Sequence, residues 1–230
     1  MRSDSAIIKL SAMTLLLAAS WKVFAAGSAP NIGGVWSRVV AESAAPAPVP
    51  PLKPQYLKAY QSSRQRAAQF RSIPAGKLEP CKVVGMPTVM TAPKPLEILQ
   101  TPGQVTILAE YMTQTRRIFM DTKLPALEEV NPGYMGYSVG KWNGDTLEVE
   151  TIGVREDILY QGMPHSAKMK ILEKIRLTAP DRLQDDMTII DARTLTRPYQ
   201  LSFTYQKEPG HRILEYACDH LAKGSAVTAR

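Results

Sequence analysis

Apolar and polar residues alternate along most of the chain after Glu97. In residues 168–177 the odd positions read Met, Ile, Glu, Ile and Leu, whereas four of the five even positions are Lys or Arg. A period of two places successive side chains on opposite faces of a β-strand. The same alternation recurs in QVTILAEY, TQTRRIFMD, SVGKW, DTLEVET and YQLSFTYQ. We therefore predict eight or nine short strands.

Short turn motifs separate these strands. Asn143-Gly144 lies between two of them and favours a type I′ hairpin turn, which needs positive φ at both central residues. Pro180-Asp181 and Pro209-Gly210 mark two more turns, the second inside the last predicted strand pair. Because no helix is predicted between the strands, the fold class is mainly β, an antiparallel up-and-down meander. Such a meander closes into a lipocalin-like β-barrel or folds as a sandwich, and we favour the barrel.

The N-terminal part of the chain has a different pattern. Residues 44–54 read AAPAPVPPLKP, and their proline density favours an extended linker or a strap across the barrel. Residues 55–70 lack Gly and Pro and space their apolar residues for one helical face, which predicts one N-terminal helix. We divide the chain into a leader (1–25), a segment with G-x-W, strap and helix (26–80), a barrel domain (81–220) and a tail (221–230).

The composition is that of a globular protein with a sizeable core, because 44% of the 230 residues are hydrophobic and 21% are charged. The formal net charge is +7. The basic residues are scattered along the predicted strands and match no nucleic-acid-binding motif. We therefore expect solvated charges on outward faces and no nucleic-acid partner.

The leader has the features of a secretory signal peptide. Basic residues flank the apolar residues 10–21, and residues 23–25 (VFA) place small side chains at the two positions that a signal peptidase reads. The apolar run is shorter than the roughly 20 residues that a bilayer span requires. We predict a cleaved signal, a periplasmic or secreted protein, and no membrane span.

Cys81 and Cys218 are the two cysteines of the chain. An oxidising compartment favours a disulfide between them. Neither lies in a C-x-x-C motif or beside clustered histidines, so we predict no metal site.

Glu173 interrupts the apolar face of residues 168–177. A carboxylate on an inward face must be paired, hydrogen-bonded or protonated, because burial of a lone charge is costly. We interpret Glu173 as half of a structural ion pair, as a ligand-binding or catalytic group, or as a residue that a bulge turns outward.

The natural partner of Glu173 is an arginine of residues 113–121. Arg116 and Arg117 lie on opposite faces of this predicted strand, so one of them points inward. An Arg–Glu pair inside a barrel is either structural or holds the polar group of a largely apolar ligand. The predicted ligand-binding set comprises Arg116, Arg117, Glu173, Tyr137, Tyr199, Phe203 and Tyr205.

His165 follows Gly162 and Pro164 at a loop-to-strand boundary, near a predicted barrel rim. It is either a surface or hydrogen-bonding residue or an acid–base catalyst, with Glu173 or Asp121 orienting it. The chain has no G-x-S-x-G, Walker, dinucleotide-binding, H-E-x-x-H or C-x-x-C-H motif. Any reaction is therefore expected to be acid–base chemistry without a cofactor.

Four motifs lie in a characteristic order: WNGDTLEVET (142–151), GMPHS (162–166), LTRPY (195–199) and LEYAC (214–218). This combination resembles a large, poorly characterised family of exported bacterial proteins that carry W-x-G-D-T-L, P-H-S, a T-x-P step and a closing E-Y-x-C. The resemblance implies export but carries no activity. Residues 34–36 (GVW) are similar to the G-x-W of lipocalins, which implies a barrel.

The leading hypothesis is an exported lipocalin-like barrel that binds a small, largely apolar molecule in its interior. The first alternative is a cofactor-independent lyase, isomerase or hydrolase that uses His165 with an interior carboxylate. The second alternative is a structural or interaction module of the envelope, for which a filled interior and a large exposed patch are expected.

Overall fold

The computed structural model describes residues 29–40, 48–70 and 83–216. The nine strands are β1 (Gly34–Arg38), β2 (Leu96–Thr101), β3 (Gln104–Ala109), β4 (Gln114–Met120), β5 (Tyr137–Asn143), β6 (Thr146–Ile152), β7 (Lys170–Ala179), β8 (Arg182–Ile190) and β9 (Tyr199–Lys207), and the helix is α1 (Pro54–Phe70). The predicted signal peptide (1–25), Cys81, Cys218 and the tail (221–230) lie outside the described residues.

The strands form one closed barrel in chain order, in which β1 pairs with both β2 and β9. This architecture confirms the prediction of a mainly β, barrel-forming meander with one N-terminal helix. The barrel begins at β1, and not at residue 81 as predicted for the barrel domain. The residues of the G-x-W motif are therefore part of the wall.

One strand pair departs from the antiparallel pattern. β4 and β5 run parallel, with Ile118 opposite Ser138 and Met120 opposite Gly140. In a closed ring of nine strands the direction cannot alternate at every step, so at least one pair must be parallel. Parallel neighbours need a connection that returns along the sheet, and residues 121–136 provide it.

Two local predictions are wrong. Asn143 pairs with Thr146, so the turn between β5 and β6 is centred on Gly144 and Asp145. Only Gly144 has positive φ (62°), which is the pattern of a type II′ turn and not of type I′. The second strand of the last predicted pair is also missing, because residues 208–216 form no strand.

The register of β5 to β9 arranges the inward-facing residues in three rows. Reading from β5 to β9, the first row is Ser138, Thr151, Ile171, Ile189, Tyr199; the second is Gly140, Val149, Glu173, Met187, Leu201; the third is Trp142, Leu147, Ile175, Asp185, Phe203. A Cβ at Gly140 would lie 2.8 Å from Ile118 Cγ2 and 3.1 Å from Met120 Sδ. Glycine at this position therefore lets neighbouring side chains fill the interior.

The proline-rich segment is a strap where the structure describes it. The backbone of Lys53 donates to the Thr194 carbonyl at 2.8 Å, and Thr196 donates to Pro51 at 2.8 Å. Helix α1 follows, starting with Pro54, whose missing N–H costs nothing at a first helical position. Its Leu57 and Tyr60 pack against the core. No helix among the described residues is long and apolar enough to cross a membrane.

Candidate functional site

Each of the six successive strands β4 to β9 contributes one almost completely buried polar side chain to the barrel interior. Each of these side chains belongs to a residue at most 2% exposed to solvent. We call this set the interior polar cluster: Arg116, Ser138, Thr151, Glu173, Asp185 and Tyr205. Burial of so many polar groups is costly unless they are paired, so their hydrogen bonds decide what the cluster can do.

Arg116 and Glu173 form a bidentate ion pair across the interior. Arg116 Nη1 donates to Glu173 Oε1 at 2.8 Å, and Nη2 donates to Oε2 at 2.5 Å. Burial alone would lower the pKa of the Arg116 guanidinium, but the Glu173 carboxylate outweighs burial and raises it. Both terminal nitrogens of the arginine are therefore engaged by the Glu173 carboxylate.

Two hydroxyl groups complete the contacts of the arginine. Arg116 Nη2 also donates to Thr151 Oγ1 at 3.0 Å, and Ser138 Oγ lies 2.8 Å from Thr151 Oγ1. Ser138 and Thr151 are opposite each other on β5 and β6. Arg116 Nε is buried without a hydrogen-bond partner among the described residues.

Asp185 is the member of the cluster whose whole side chain has no hydrogen-bond partner among the described residues. It is completely buried, and neither carboxyl oxygen has a hydrogen-bond partner in the part of the chain that the structure describes. Burial and the nearby Glu173 carboxylate raise the pKa of Asp185 well above its ordinary value, although Arg116 opposes the shift. A donor placed beside this carboxyl group would remove a large desolvation cost.

Tyr205 links the cluster to the segment that precedes β2 in the chain. Its hydroxyl group donates to the Met90 carbonyl at 2.6 Å. Burial, followed by the charges of Asp185 and Glu173, raises the pKa of Tyr205 well above its ordinary value. The phenol is therefore neutral and acts as a fixed hydrogen-bond donor.

The other residues of the predicted ligand-binding set lie apart from this cluster. Arg117 and Tyr137 are on the outer face, where the Tyr137 ring stacks on Phe119 with centroids 5.1 Å apart. Tyr199 is inward and buried, but its hydroxyl group donates to the Pro48 carbonyl of the strap at 2.5 Å. Phe203 is half-buried, opposite Asp185 in the third row.

His165 is buried in a separate polar group beside the start of β7. Its Nδ1 lies 3.1 Å from the Ser166 carbonyl oxygen, while Nε2 has no partner among the described residues. The adjacent Ser166 is held by Asp191, whose carboxylate accepts from the Ser166 backbone at 2.6 Å and from its hydroxyl group at 2.9 Å. We call Ser166 and Asp191 the Asp191 clamp.

The structure does not join the three predicted catalytic residues. In the part of the chain that it describes, His165 makes no hydrogen bond or ion pair with Glu173 or Asp121. Glu173 is occupied by Arg116, and Asp121 is exposed in a left-handed conformation (φ 52°) directly after β4. Any acid–base role of His165 would have to use other groups.

A cavity of about 470 Å³ opens at the end of the barrel where β4 and β5 end. We call it the mouth pocket, and it is lined by Ala29, Asn31, Gln100, Thr101, Pro102, Met120, Asp121 and Trp142. Trp142 belongs to the third inward row, which also contains Asp185. A larger cavity of about 870 Å³ lies on the outer wall, where charged residues such as Lys141 and Glu148 pair with each other.

Asp185, Ser138 and Thr151 are not among the site residues predicted from the sequence. Asp185 carried a readable signal, because in RLQDDMTII it shares the face of Leu183, Met187 and Ile189, as Glu173 does on its own strand. Ser138 and Thr151 could not be singled out, because their role depends on meeting Arg116 across the barrel.

The described residues contain no group of three or more His, Cys, Asp or Glu side chains with metal-binding geometry. Neither a protein-family model nor a curated protein matches the chain.

Proposed function

We propose that this protein is an exported, lipocalin-like barrel that binds a small, largely apolar molecule with its polar end in the interior polar cluster. The closed barrel and its mostly apolar inner rows support this function. The predicted export, which depends on the signal-peptide features of residues 1–25, and the resemblance to a family of exported proteins enter the proposal unchanged.

The carboxyl group of Asp185 carries this proposal. Every other side chain of the cluster has a hydrogen-bond partner, whereas Asp185 is completely buried and has none among the described residues. Buried polar groups in folded proteins are nearly always hydrogen-bonded, so a donor on a further molecule would complete the hydrogen bonding of this carboxyl group.

The mouth pocket supplies the apolar part of the proposed site. Met120 and Trp142 line it, and Trp142 is separated from Asp185 only by Leu147 and Ile175 in the third row. Neighbouring strands are about 4.8 Å apart, so three strand steps correspond to roughly 14 Å along the wall. The lining of the mouth pocket ends at Trp142, so the polar end of a bound molecule has to displace the buried side chains of Leu147 and Ile175 to reach Asp185.

Native mass spectrometry of the mature protein purified from its own host tests this function. We would compare the wild type with Asp185→Leu, because leucine keeps the branching of aspartate at Cγ but has no polar atom. Asp186→Asn is the matched control, since Asp186 points outward on the same strand and pairs with Arg176.

A small molecule bound to the wild type and to the control, and lost from Asp185→Leu, is the expected result. A molecule retained by all three proteins would contradict the role of the interior. No bound molecule in any of them would contradict the binding function and favour a structural module of the envelope.

A second candidate function is acid–base catalysis by His165. Because a carbonyl oxygen only accepts, the contact with Ser166 makes Nδ1 the protonated nitrogen and leaves Nε2 as a buried acceptor in the neutral ring. Mass spectrometry of host metabolites incubated with the wild type or with His165→Ala tests it. Turnover that disappears in the variant would support an enzyme, and identical profiles would contradict it.

A further inference from the structure

We propose that the interior site selects a ligand whose polar end is a protonated amine, and that it rejects carboxylates and phosphates. This inference rests on the proposed function, because it names the ligand class of the same site. It follows from the count of charges in the interior polar cluster and from which of their atoms are already bonded.

The arginine of the cluster is not free to bind an anion. Both terminal nitrogens of Arg116 bond the two oxygens of Glu173, and Nη2 also bonds Thr151. Of the five N–H groups of the guanidinium, the one on Nε and the second one on Nη1 have no partner among the described residues. An anionic ligand that bound both terminal nitrogens would have to displace Glu173, which would leave that carboxylate buried without a partner.

The carboxyl groups outnumber the arginine. Glu173 and Asp185 both face the interior with Arg116, and the remaining members, Ser138, Thr151 and Tyr205, are uncharged. Arg116 and Glu173 neutralise each other, so an ionised Asp185 leaves one unbalanced negative charge. In the ligand-free protein, a proton on Asp185 removes this negative charge. A bound ammonium group would replace that proton and neutralise the charge of the ionised carboxylate.

An ammonium group also matches the hydrogen bonds that are missing. It carries three donors and no acceptor, and the two oxygens of Asp185 are acceptors without donors among the described residues. A hydrogen bond between two charged groups is stronger than one between neutral groups, and burial strengthens it further. Trp142 at the mouth pocket suits an aromatic or aliphatic body.

Exchange of the proton for the ammonium group makes binding depend on pH. The charged and titratable groups that face Asp185 are Arg116 on β4, Glu173 on β7 and Tyr205 on β9, while Asp186 lies next to it in β8. Each bound amine releases about one proton from Asp185 while that group is protonated. The affinity for the amine should therefore rise by roughly tenfold per pH unit, up to the pH at which Asp185 is already ionised in the ligand-free protein.

Three probes with one body and different polar ends test this inference: phenylbutylamine, phenylbutanol and phenylbutanoate. Dissociation constants for each are measured by titration calorimetry on the mature protein near neutral pH, with Asp185→Leu and Asp186→Asn as variants. We expect the amine to bind roughly ten- to a hundredfold more tightly than the alcohol or the carboxylate. Asp185→Leu should lose this preference, and Asp186→Asn should keep it.

The overall charge of the protein makes the test stringent. The formal net charge of +7 falls to +5 when the leader, with Arg2, Lys9, Lys22 and Asp4, is removed (+7 − 3 + 1). A positive charge attracts anions, so non-specific surface binding would favour the carboxylate probe. Binding in which the alcohol or carboxylate equals or exceeds the amine would overturn the amine selectivity and leave the binding function standing. No binding of any probe, together with no co-purified molecule in native mass spectrometry, would overturn both.

Discussion

Two buried aspartates on or beside β8 have opposite surroundings. Asp185, within β8, is fully buried and has no hydrogen-bond partner among the described residues, whereas Asp191, directly after the strand, is 2% exposed and accepts three hydrogen bonds. Burial raises the pKa of both carboxyl groups. For Asp185 the Arg116 charge opposes this effect without reversing it, and the pKa stays well above its ordinary value. For Asp191, hydrogen bonds from Ser166 and Arg193 bring the pKa below its ordinary value.

This comparison separates a structural aspartate from a candidate binding aspartate. Asp191 stabilises the protein because its carboxylate accepts hydrogen bonds from the backbone and the hydroxyl group of Ser166, in the loop that also carries His165. Asp185 costs stability because its carboxyl group is desolvated without compensation. A residue that costs stability yet occupies the interior is expected where function requires it.

The largest effect is expected at the Asp191 clamp. Asp191→Ala removes the acceptor for the Ser166 backbone, the Ser166 hydroxyl group and the Arg193 backbone. We expect the free energy of unfolding to fall by about 3 kcal/mol, because buried donors lose a charged partner. Urea denaturation measures this change, and a loss below about 1 kcal/mol would contradict the structural role.

Asp185 should respond in the opposite direction. Asp185→Leu replaces an unsatisfied buried carboxyl group with an apolar side chain of the same branching, so the ligand-free protein should gain about 1 to 2 kcal/mol of unfolding free energy. Asp185→Asn is the control for shape, because it remains polar and should gain less. A loss of stability in Asp185→Leu would show that the carboxyl group is satisfied in solution.

The two aspartates should also impose opposite dependences on pH. The pKa of Asp185 is raised, so its contribution to stability is present below the ordinary value of 3.8 and is lost as the pH rises towards the raised value. The pKa of Asp191 is lowered, so its contribution is present above 3.8 and is lost as the pH falls. Between pH 3.8 and the raised pKa of Asp185, the unfolding free energy of the wild type should fall relative to that of Asp185→Leu by up to about 1.4 kcal/mol per pH unit.

Unfolding free energies of the wild type and of Asp185→Leu across this pH range measure the slope. Taking the difference between the two proteins removes the contributions of carboxyl groups that both share. Parallel stability curves for wild type and Asp185→Leu would contradict the raised pKa of Asp185. The difference in unfolding free energy between the wild type and Asp191→Asn should depend on pH in the opposite direction. The wild type should lose its advantage over this variant as the pH falls.

The alternation of faces along each strand could be read from the sequence, but the buried face of β4 and the partners across the barrel could not. Alternation placed Glu173 inside and left Arg116 and Arg117 as rival partners, because faces alternate but nothing local says which face is buried. The parallel pairing of β4 with β5 depends on closure of nine strands. The bond between Asp191 and Ser166 joins residues that are distant in sequence, and no local signal marks it.

The smallest expected effect is the coupling between the two aspartates. They are six residues apart along nearly straight chain, which corresponds to about 20 Å, and they share no hydrogen-bond partner among the described residues. In Asp185→Leu/Asp191→Ala the two changes in unfolding free energy should therefore add to within about 0.5 kcal/mol. Coupling well above that value, measured by a double-mutant cycle in urea, would show that the clamp positions the interior polar cluster. The two regions would then form one site instead of two, and His165 would have to be considered together with Asp185.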